Sequence, residues 1–229
     1  MSMDDVWVVV AMFNEAGAIA DVVTELRVEF PHVVCVDDGS SDASAQAAAG
    51  AGAVVVKHPI NLGQGAALQT GFDYVSRQRG ARYVVTFDAD GQHQVCDAVA
   101  MVEHARREDL DVVLASRFTG SVRDIPKARA LVLKAAVAFT RWSAKLDVTD
   151  AHNGLRVLNT RVLSRLRLRQ PRMAHASELL NKIGALGLSY GEEPATIVYT
   201  DYSRAKSQAN INSVNILFDL ALARLRTHS

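Results

Sequence analysis

Two aspartates one residue apart, Asp88 and Asp90, end a β-branched and aromatic run in the segment Val84–His93 (VVTFDADGQH). A buried strand that ends in carboxylates places them at its carboxyl-terminal edge, which is where ligands bind in open α/β sheets. Carboxylates on alternate residues can reach one hard divalent cation, which typically bridges them to a phosphate group. A strand followed by an Asp-Gly turn explains the same residues without a metal. The motif alone does not choose between the two interpretations.

Acidic residues also follow two earlier strands, so that three acidic strand ends fall in series: Asn14-Glu15, Asp37-Asp38 and Asp88-Ala89-Asp90. In a parallel sheet all three point to the same edge, which favours a polar site that holds a nucleotide and a metal. The chain has no GxxxxGK[ST] loop, and its first strand is followed by FNEAG instead of GxGxxG. The glycines around Gln64 alone indicate a structural turn more strongly than a phosphate cradle.

These strand ends require alternating strands and helices to position them. Apolar runs predict five strands, at Val6–Met12, Val33–Val36, Ala53–Lys57, Tyr83–Asp88 and Val112–Ala115. Helical spacing predicts the helices between them, beginning near Ile19 and at Ala43–Ala51, Ala66–Arg79 and Cys96–Arg107. The fold class is therefore α/β, with a mostly parallel, doubly wound central sheet flanked by helices.

The second half of the chain changes character. Ala128–Leu146 is apolar nearly all round, with Lys127, Lys134 and Arg141 spaced every seven residues. Such a helix can lie on an anionic membrane surface, or it can be buried in a core or dimer interface. We also predict four later elements, namely a strand at Leu155–Leu158, a helix at Ser177–Leu186, a strand at Ala195–Tyr199 and a helix at Ile211–Arg226. The last helix favours docking to the body or to a second subunit, as in a homodimer.

The composition limits the classes of function. The 229 residues include 25 basic and 25 acidic side chains, so no overall field favours nucleic acid. Cys35 and Cys96 have no motif spacing, which favours free thiols in a reducing compartment. No signal peptide opens the chain, and no apolar run approaches the ~20 residues of a transmembrane helix. We expect a cytoplasmic protein, or one that sits peripherally on the cytoplasmic face of a membrane.

An ordered set of motifs makes the interpretation more specific. In sequence, VVVAMFNE, VDDGSSD, NLGQGAALQTG, FDADGQH and SRF resemble glycosyltransferase family 2, and within it the dolichol-phosphate mannose synthase-like branch with the GT-A fold. The resemblance covers residues 6–120 well, and Asp150–Arg156 and Glu178 more loosely. It implies one GT-A domain over residues 1–229, with a nucleotide-sugar-binding half at 1–120 and an acceptor-side half at 121–229.

The resemblance also implies roles for individual residues. The donor would contact Ala11, Phe13, Glu15, Asp37, Asp38, Asp88, Ala89, Arg117 and Arg204, with Asp37 and Asp38 accepting hydrogen bonds from base and ribose. Mg²⁺ or Mn²⁺ would be held by Asp88, Asp90 and Gln92. The chain departs from the family pattern in having Phe13 for tyrosine, Ala11 for proline, and Ser203-Arg204-Ala205-Lys206 for the late loop. Thr200 replaces an arginine, for which Arg204 would substitute.

The implied reaction moves a hexose from a nucleotide-sugar of the GDP-mannose or UDP-glucose type, with inversion. The cation, Arg117 and Lys206 would stabilise the departing diphosphate. A sugar-hydroxyl acceptor on a glycan needs a general base, for which Asp150 and Glu178 are candidates. A polyprenyl-phosphate acceptor is already an anion and needs none. Three basic residues suit such a head group, namely Arg123, Lys127 and Arg129. Alternatively, Asp150 is structural and orients Asn153 and Arg156 within its own turn. A further alternative is that the protein is a non-catalytic nucleotide-sugar-binding subunit.

Overall fold

The computed structural model describes residues 2–117, 146–150, 153–172 and 174–198. These residues contain seven strands: β1 (Val6–Met12), β2 (His32–Asp37), β3 (Val54–Lys57), β4 (Tyr83–Asp88), β5 (Val112–Ser116), β6 (Arg156–Asn159) and β7 (Tyr190–Pro194). The helices among them are α1 (Ile19–Glu29), α2 (Ser44–Gly50), α3 (Gln64–Val75), α4 (Val95–Arg107) and α5 (His175–Ala185).

The strands form one sheet in the order β3-β2-β1-β4-β6-β5-β7. β1 pairs in parallel with β2 and β4, β2 with β3, and β5 with β7. β6 is antiparallel to both of its neighbours, β4 and β5. The predicted α/β class with a mostly parallel sheet is confirmed. The sequence did not predict that the late strand β6 separates two strands of the first half.

The alternation of side chains along the strands builds a core on each face of the sheet. In β1, Val8 and Val10 join a buried cluster with residues of α1 and α4, such as Leu26 and Met101. Val9 between them faces a second cluster that contains side chains of α3 and α5. Burying one such aliphatic side chain stabilises the folded protein by roughly 1.5–3 kcal/mol. Packing on both faces therefore fixes the position of β1 between the two helix layers.

The described bounds differ from the predicted ones most strongly near the end of the described chain. The strand predicted at Ala195–Tyr199 is wrong as far as Val198, since those residues contain only an isolated bridge between Ile197 and His93. The strand β7 lies just before it, where YGEEP has little β-propensity. The extended conformation of β7 is therefore stabilised by its pairing with β5 and not by local propensity. α3 also begins and ends earlier than predicted.

Several predicted features lie outside the described residues. These are the apolar helix up to residue 145, the helix at Ile211–Arg226, and Arg123, Lys127, Arg129, Lys134, Arg141, Thr200, Arg204 and Lys206. The boundary between the two predicted halves falls there as well. Across the described ranges, no helix has the length and apolar character that crossing a bilayer requires.

Candidate active site

The three acidic strand ends lie side by side at the carboxyl-terminal edge of the sheet. β1 stands between β2 and β4, and its register pairs Met12 with Asp37 and Ala11 with Asp88. Glu15, just after β1, is close enough for its charge to act on Asp90. The convergence that the sequence predicts is therefore present in the fold.

The loop after β1 is fixed to the loop after β2 by hydrogen bonds. Asn14 adopts a left-handed backbone conformation with φ 54°, and its amide oxygen accepts the Ser41 N–H at 2.9 Å. The Asn14 N–H donates to Ser40 Oγ at 2.9 Å, and the Glu15 N–H donates to Ser44 Oγ at 2.7 Å. The loops therefore hold Phe13 at the edge, where it stays 42% exposed and accessible to a ligand.

Two of the residues predicted to contact the donor, Ala89 and Ala11, have side chains that pack into the hydrophobic core. Ala89 is buried and belongs to the hydrophobic cluster on the α1 and α4 side. Ala11 is partly buried and packs against the cluster on the opposite face. Their small side chains serve the packing of β1 and of the turn after β4, so their contacts with a donor stay predictions.

Asp38 is buried and bonded to its own chain. One of its oxygens accepts the Leu62 N–H at 2.9 Å and contacts His58 Nδ1 at 2.7 Å, while the other accepts the Gly63 N–H at 2.7 Å. These contacts tie the end of β2 to the loop before α3. Asp37 accepts the Ser40 N–H at 2.9 Å. The predicted bonds from Asp37 and Asp38 to base and ribose stay predictions, and Asp38 has a structural role besides.

Asp88 is surrounded by protein groups at the end of β4. His93 Nε2 contacts Asp88 Oδ2 at 2.9 Å, and Gln64 Nε2 lies 3.4 Å from Oδ1. Gly154 approaches so closely that a Cβ there would stand 2.2 Å from Oδ2. Burial alone would raise the pKa of Asp88, but the hydrogen bond and charge of His93 and the charge of Arg156 lower it. Asp88 is therefore held as a carboxylate.

Two buried basic residues lie near Asp88 and were not predicted as site residues, although the sequence motif Asp150–Arg156 includes one of them. Arg156 begins β6, opposite Thr86 of β4, and is 3% exposed. Burial lowers the pKa of Arg156, while the negative charges of Asp88 and Asp150 act in the opposite direction and raise it. His175 begins α5, and burial together with the charge of Arg156 lowers its pKa to about 4. The signals in the sequence for Arg156 are its place at the start of an apolar strand and in the motif Asp150–Arg156.

Asp90 differs from Asp88, because burial and then the charge of Asp88 raise its pKa. The Gln92 N–H and the charge of His93 act in the opposite direction, but they do not offset burial and the neighbouring carboxylates. A hard divalent cation held by Asp88 and Asp90 would favour the ionised form of Asp90. The described residues contain no group of three or more His, Cys, Asp or Glu side chains placed to hold a metal ion. A cation here would therefore need further oxygen ligands, such as the side-chain amide oxygen of Gln92 and oxygens of the bound substrate. The backbone N–H of Gln92 donates to Asp90 at 3.1 Å.

Arg117, which follows β5, forms a partly buried bidentate ion pair with Asp150. Arg117 Nε and Nη2 donate to the two Asp150 oxygens at 2.6 and 2.8 Å, and the Arg117 N–H donates to Oδ2 at 3.2 Å. The Asp150 side chain is only 1% exposed. Asp150 thus orients the guanidinium group that follows β5.

Glu178, the other candidate base, is bonded to its own chain. Its carboxylate accepts the N–H groups of Arg169 and Gln170 at 2.7–2.9 Å and pairs with Lys182 at 3.0 Å. Burial alone would raise the pKa of Glu178, but these contacts outweigh burial, and the pKa is lower than usual. Glu178 therefore stabilises the conformation of the segment before α5.

That segment covers the amino terminus of α3. The Gly65 N–H donates to the Pro171 carbonyl at 2.7 Å, and a Cβ on Gly65 would stand 2.1 Å from the Gln170 carbonyl oxygen. Helix N–H groups that could bind a phosphate are thus used within the protein. The structural interpretation of these glycines is confirmed.

Comparisons with known proteins show the family of this chain. The profile described as glycosyl transferase family 2 matches residues 7–166. A UDP-N-acetylglucosamine–dolichyl-phosphate N-acetylglucosaminyltransferase of Methanococcus voltae is 26% identical over 96% of this chain and 96% of that protein. A polyprenol monophosphomannose synthase of Mycolicibacterium smegmatis is 30% identical over 70% of this chain and 64% of that protein.

Among solved structures, the glucosyl-3-phosphoglycerate synthase of Mycobacterium tuberculosis, in complex with Mn²⁺, UDP-glucose and phosphoglyceric acid, has a TM-score of 0.65. The similarity covers 89% of this chain and 75% of that one at 18% identity, which shows the fold. The chain therefore belongs to glycosyltransferase family 2, within its dolichol-phosphate mannose synthase-like branch, and has the GT-A fold.

Proposed function

We propose that this glycosyltransferase moves a hexose from a nucleotide-sugar of the GDP-mannose or UDP-glucose type to a polyprenyl phosphate, with inversion and with a divalent cation. The donor is assigned to the edge formed by the ends of β1, β2 and β4, where Phe13 is exposed and Asp37 and Asp90 lie. The names of the relatives from Methanococcus voltae and Mycolicibacterium smegmatis support the acceptor class, since both name a polyprenyl-type phosphate or polyprenol.

The observation that carries the choice of acceptor is the state of the two candidate bases. Asp150 is bound bidentately to Arg117, and Glu178 is bound to backbone N–H groups and Lys182. A general base must accept a proton from the attacking hydroxyl group, and both carboxylates already have other partners. A phosphate monoester, with a second pKa near ~6, attacks as an anion without a base. The engagement of both carboxylates therefore favours phosphate over a glycan hydroxyl.

In the proposed reaction, an acceptor oxygen forms a bond to the anomeric carbon while the bond from that carbon to the donor phosphate breaks. The electron pair of that bond leaves with the nucleoside diphosphate, and attack from the opposite face inverts the configuration. Arg117, held by Asp150, would stabilise the negative charge that develops on the leaving group. Mg²⁺ or Mn²⁺ bound by Asp88, Asp90 and Gln92 would supply further positive charge there. The crystallised Mn²⁺ complex of the structural relative supports this cation class.

The test is incubation of labelled GDP- and UDP-sugars with polyprenyl phosphate in detergent, with and without Mn²⁺. We expect a labelled lipid product that forms only with the metal. Labelling of a glycan hydroxyl acceptor alone would refute the phosphate acceptor and support the glycan alternative. Metal-dependent donor binding without transfer to either acceptor would instead favour a non-catalytic nucleotide-sugar-binding subunit.

A further inference from the structure

The edge strand β7 carries two adjacent glutamates that face opposite sides of the sheet. Glu193 contacts His104 Nδ1 of α4 at 2.7 Å. Glu192 instead faces the segment 146–150, which has neither helix nor strand in the structure. Successive side chains of a strand point to opposite faces, so the two carboxylates serve separate parts of the molecule.

Glu192 accepts hydrogen bonds from two successive backbone N–H groups, those of Thr149 and Asp150. Its two oxygens accept the Thr149 N–H at 2.8 and 3.0 Å, and one of them lies 3.4 Å from the Asp150 nitrogen. The Thr149 hydroxyl donates to the same oxygen at 3.2 Å and also contacts Ser116 Oγ at 2.5 Å. One carboxylate thus fixes the backbone conformation immediately before the Asp150 side chain.

The next contact in the series is the ion pair of Asp150 with Arg117. A guanidinium group held at both Nε and Nη2 by one carboxylate has a defined plane, whereas a freely rotating arginine side chain samples many rotamers. Tyr190, two residues before Glu192 and on the same face of β7, accepts the Asp147 N–H at 2.9 Å. β7 therefore supports the whole segment that carries Asp150.

We infer that Glu192 is a positioning residue, which acts through Thr149 and Asp150 to aim Arg117 at the donor diphosphate. The inference rests on the proposed function, because that function gives Arg117 its place at the leaving group. An interaction realised mainly in the transition state affects kcat more than KM when it is lost. A displacement of about 1 Å can cost up to ~100-fold in rate.

The first experiment measures the pairing of Arg117 without any catalysis. In ¹⁵N-labelled protein, the Arg117 Nε–H signal is assigned by its loss in Arg117→Lys. We expect slow hydrogen exchange of this signal in the unaltered protein, fast exchange in Glu192→Ala, and intermediate exchange in Glu192→Gln, which keeps one acceptor oxygen. Glu193→Ala is the matched control on the same strand and should leave the signal slow. Slow exchange in Glu192→Ala would overturn the inference.

The second experiment is a double-mutant cycle on sugar transfer. We expect Glu192→Ala to lower kcat about 10- to 100-fold with little change in the donor KM. In an Arg117→Ala background the same substitution should have no further effect, because Glu192 acts only through Arg117. Additive losses, or an equal loss in Glu193→Ala, would show a general structural role and overturn the inference. An unaltered protein that transfers nothing to polyprenyl phosphate refutes the proposed function, while the exchange experiment still decides the role of Glu192.

Discussion

At the scale of single residues, Asp88 and Asp90 are separated by one position, yet their charges are compensated differently. Asp88 is paired with His93 and lies near the buried Arg156, and its pKa is lowered. Burial and the charge of Asp88 raise the pKa of Asp90. Protein groups therefore stabilise the ionised form of Asp88 more strongly than that of Asp90. Asp90 is for this reason the more sensitive probe of the cation.

We predict that Asp90→Asn lowers the affinity for a nucleotide-sugar in the presence of Mn²⁺ by at least about tenfold, because the amide removes the charge that attracts the cation. Calorimetric titration with and without Mn²⁺ measures this effect. Asp109→Asn is a matched control, since Asp109 is exposed and has a positive φ of 48°, which asparagine tolerates. Metal-dependent binding that persists in Asp90→Asn would contradict the assignment.

A second prediction at this scale concerns Asp38. In Asp38→Asn an amide NH₂ group would replace one oxygen, while both oxygens now accept backbone N–H groups from Leu62 and Gly63. A buried donor facing another donor costs about 1–3 kcal/mol. We expect the free energy of unfolding in urea to fall by that amount. An unchanged urea midpoint would show that the loop before α3 does not depend on Asp38.

At the scale of elements, α3 and the segment before α5 approach each other closely at Gly65. We predict that Gly65→Ala destabilises the protein by about 2 kcal/mol or more, because its Cβ would meet the Gln170 carbonyl oxygen and the His175 side chain. Gly50→Ala is the control, since Gly50 ends α2 with open space around it. Thermal unfolding of both variants measures the difference. Equal melting temperatures would contradict the tight contact.

The sequence predicted the elements whose patterns are local. The bounds of β1 and β4 agree with continuous apolar runs, because strands buried on both faces carry such runs. β7 was not predicted, because Glu192 and Glu193 make it polar and its pairing with the distant β5 stabilises it. Helix starts shifted by one or two residues, since contacts such as that of Gly65 with Pro171 define them.

The same distinction applies to the candidate site. Asp88, Asp90 and Arg117 follow strands that periodicity identifies, so their common edge could be predicted. Some of their neighbours could not be predicted, because these come from distant parts of the chain. Arg156 and Glu192 are examples, since each reaches the site only after β6 and β7 have joined the sheet.

At the scale of the whole molecule, His175 links stability to pH. Its pKa is about 4 in the folded protein and about 6.5 in an unfolded chain. Between these values the unfolded chain binds a proton that the folded protein does not, so stability falls as the pH falls from about 6.5 to 4, by up to about 3 kcal/mol. Urea unfolding across this range measures the slope. His175→Gln should flatten it, and equal slopes in the two proteins would contradict the prediction.

The position of β6 has a consequence for the synthesis of the protein. β4 and β5 are both complete once 116 residues exist, but they are not neighbours, and Arg156–Asn159 must enter between them. At about 5–20 residues per second, a ribosome needs roughly 2–8 s to make the intervening residues. During that time β4 has an unpaired edge and β5 has no strand partner, because β6 and β7 are both made later. Such an unpaired edge can pair with other chains. We therefore expect the incomplete sheet to be open to strand pairing with other chains for seconds during translation, until β6 covers the edge of β4.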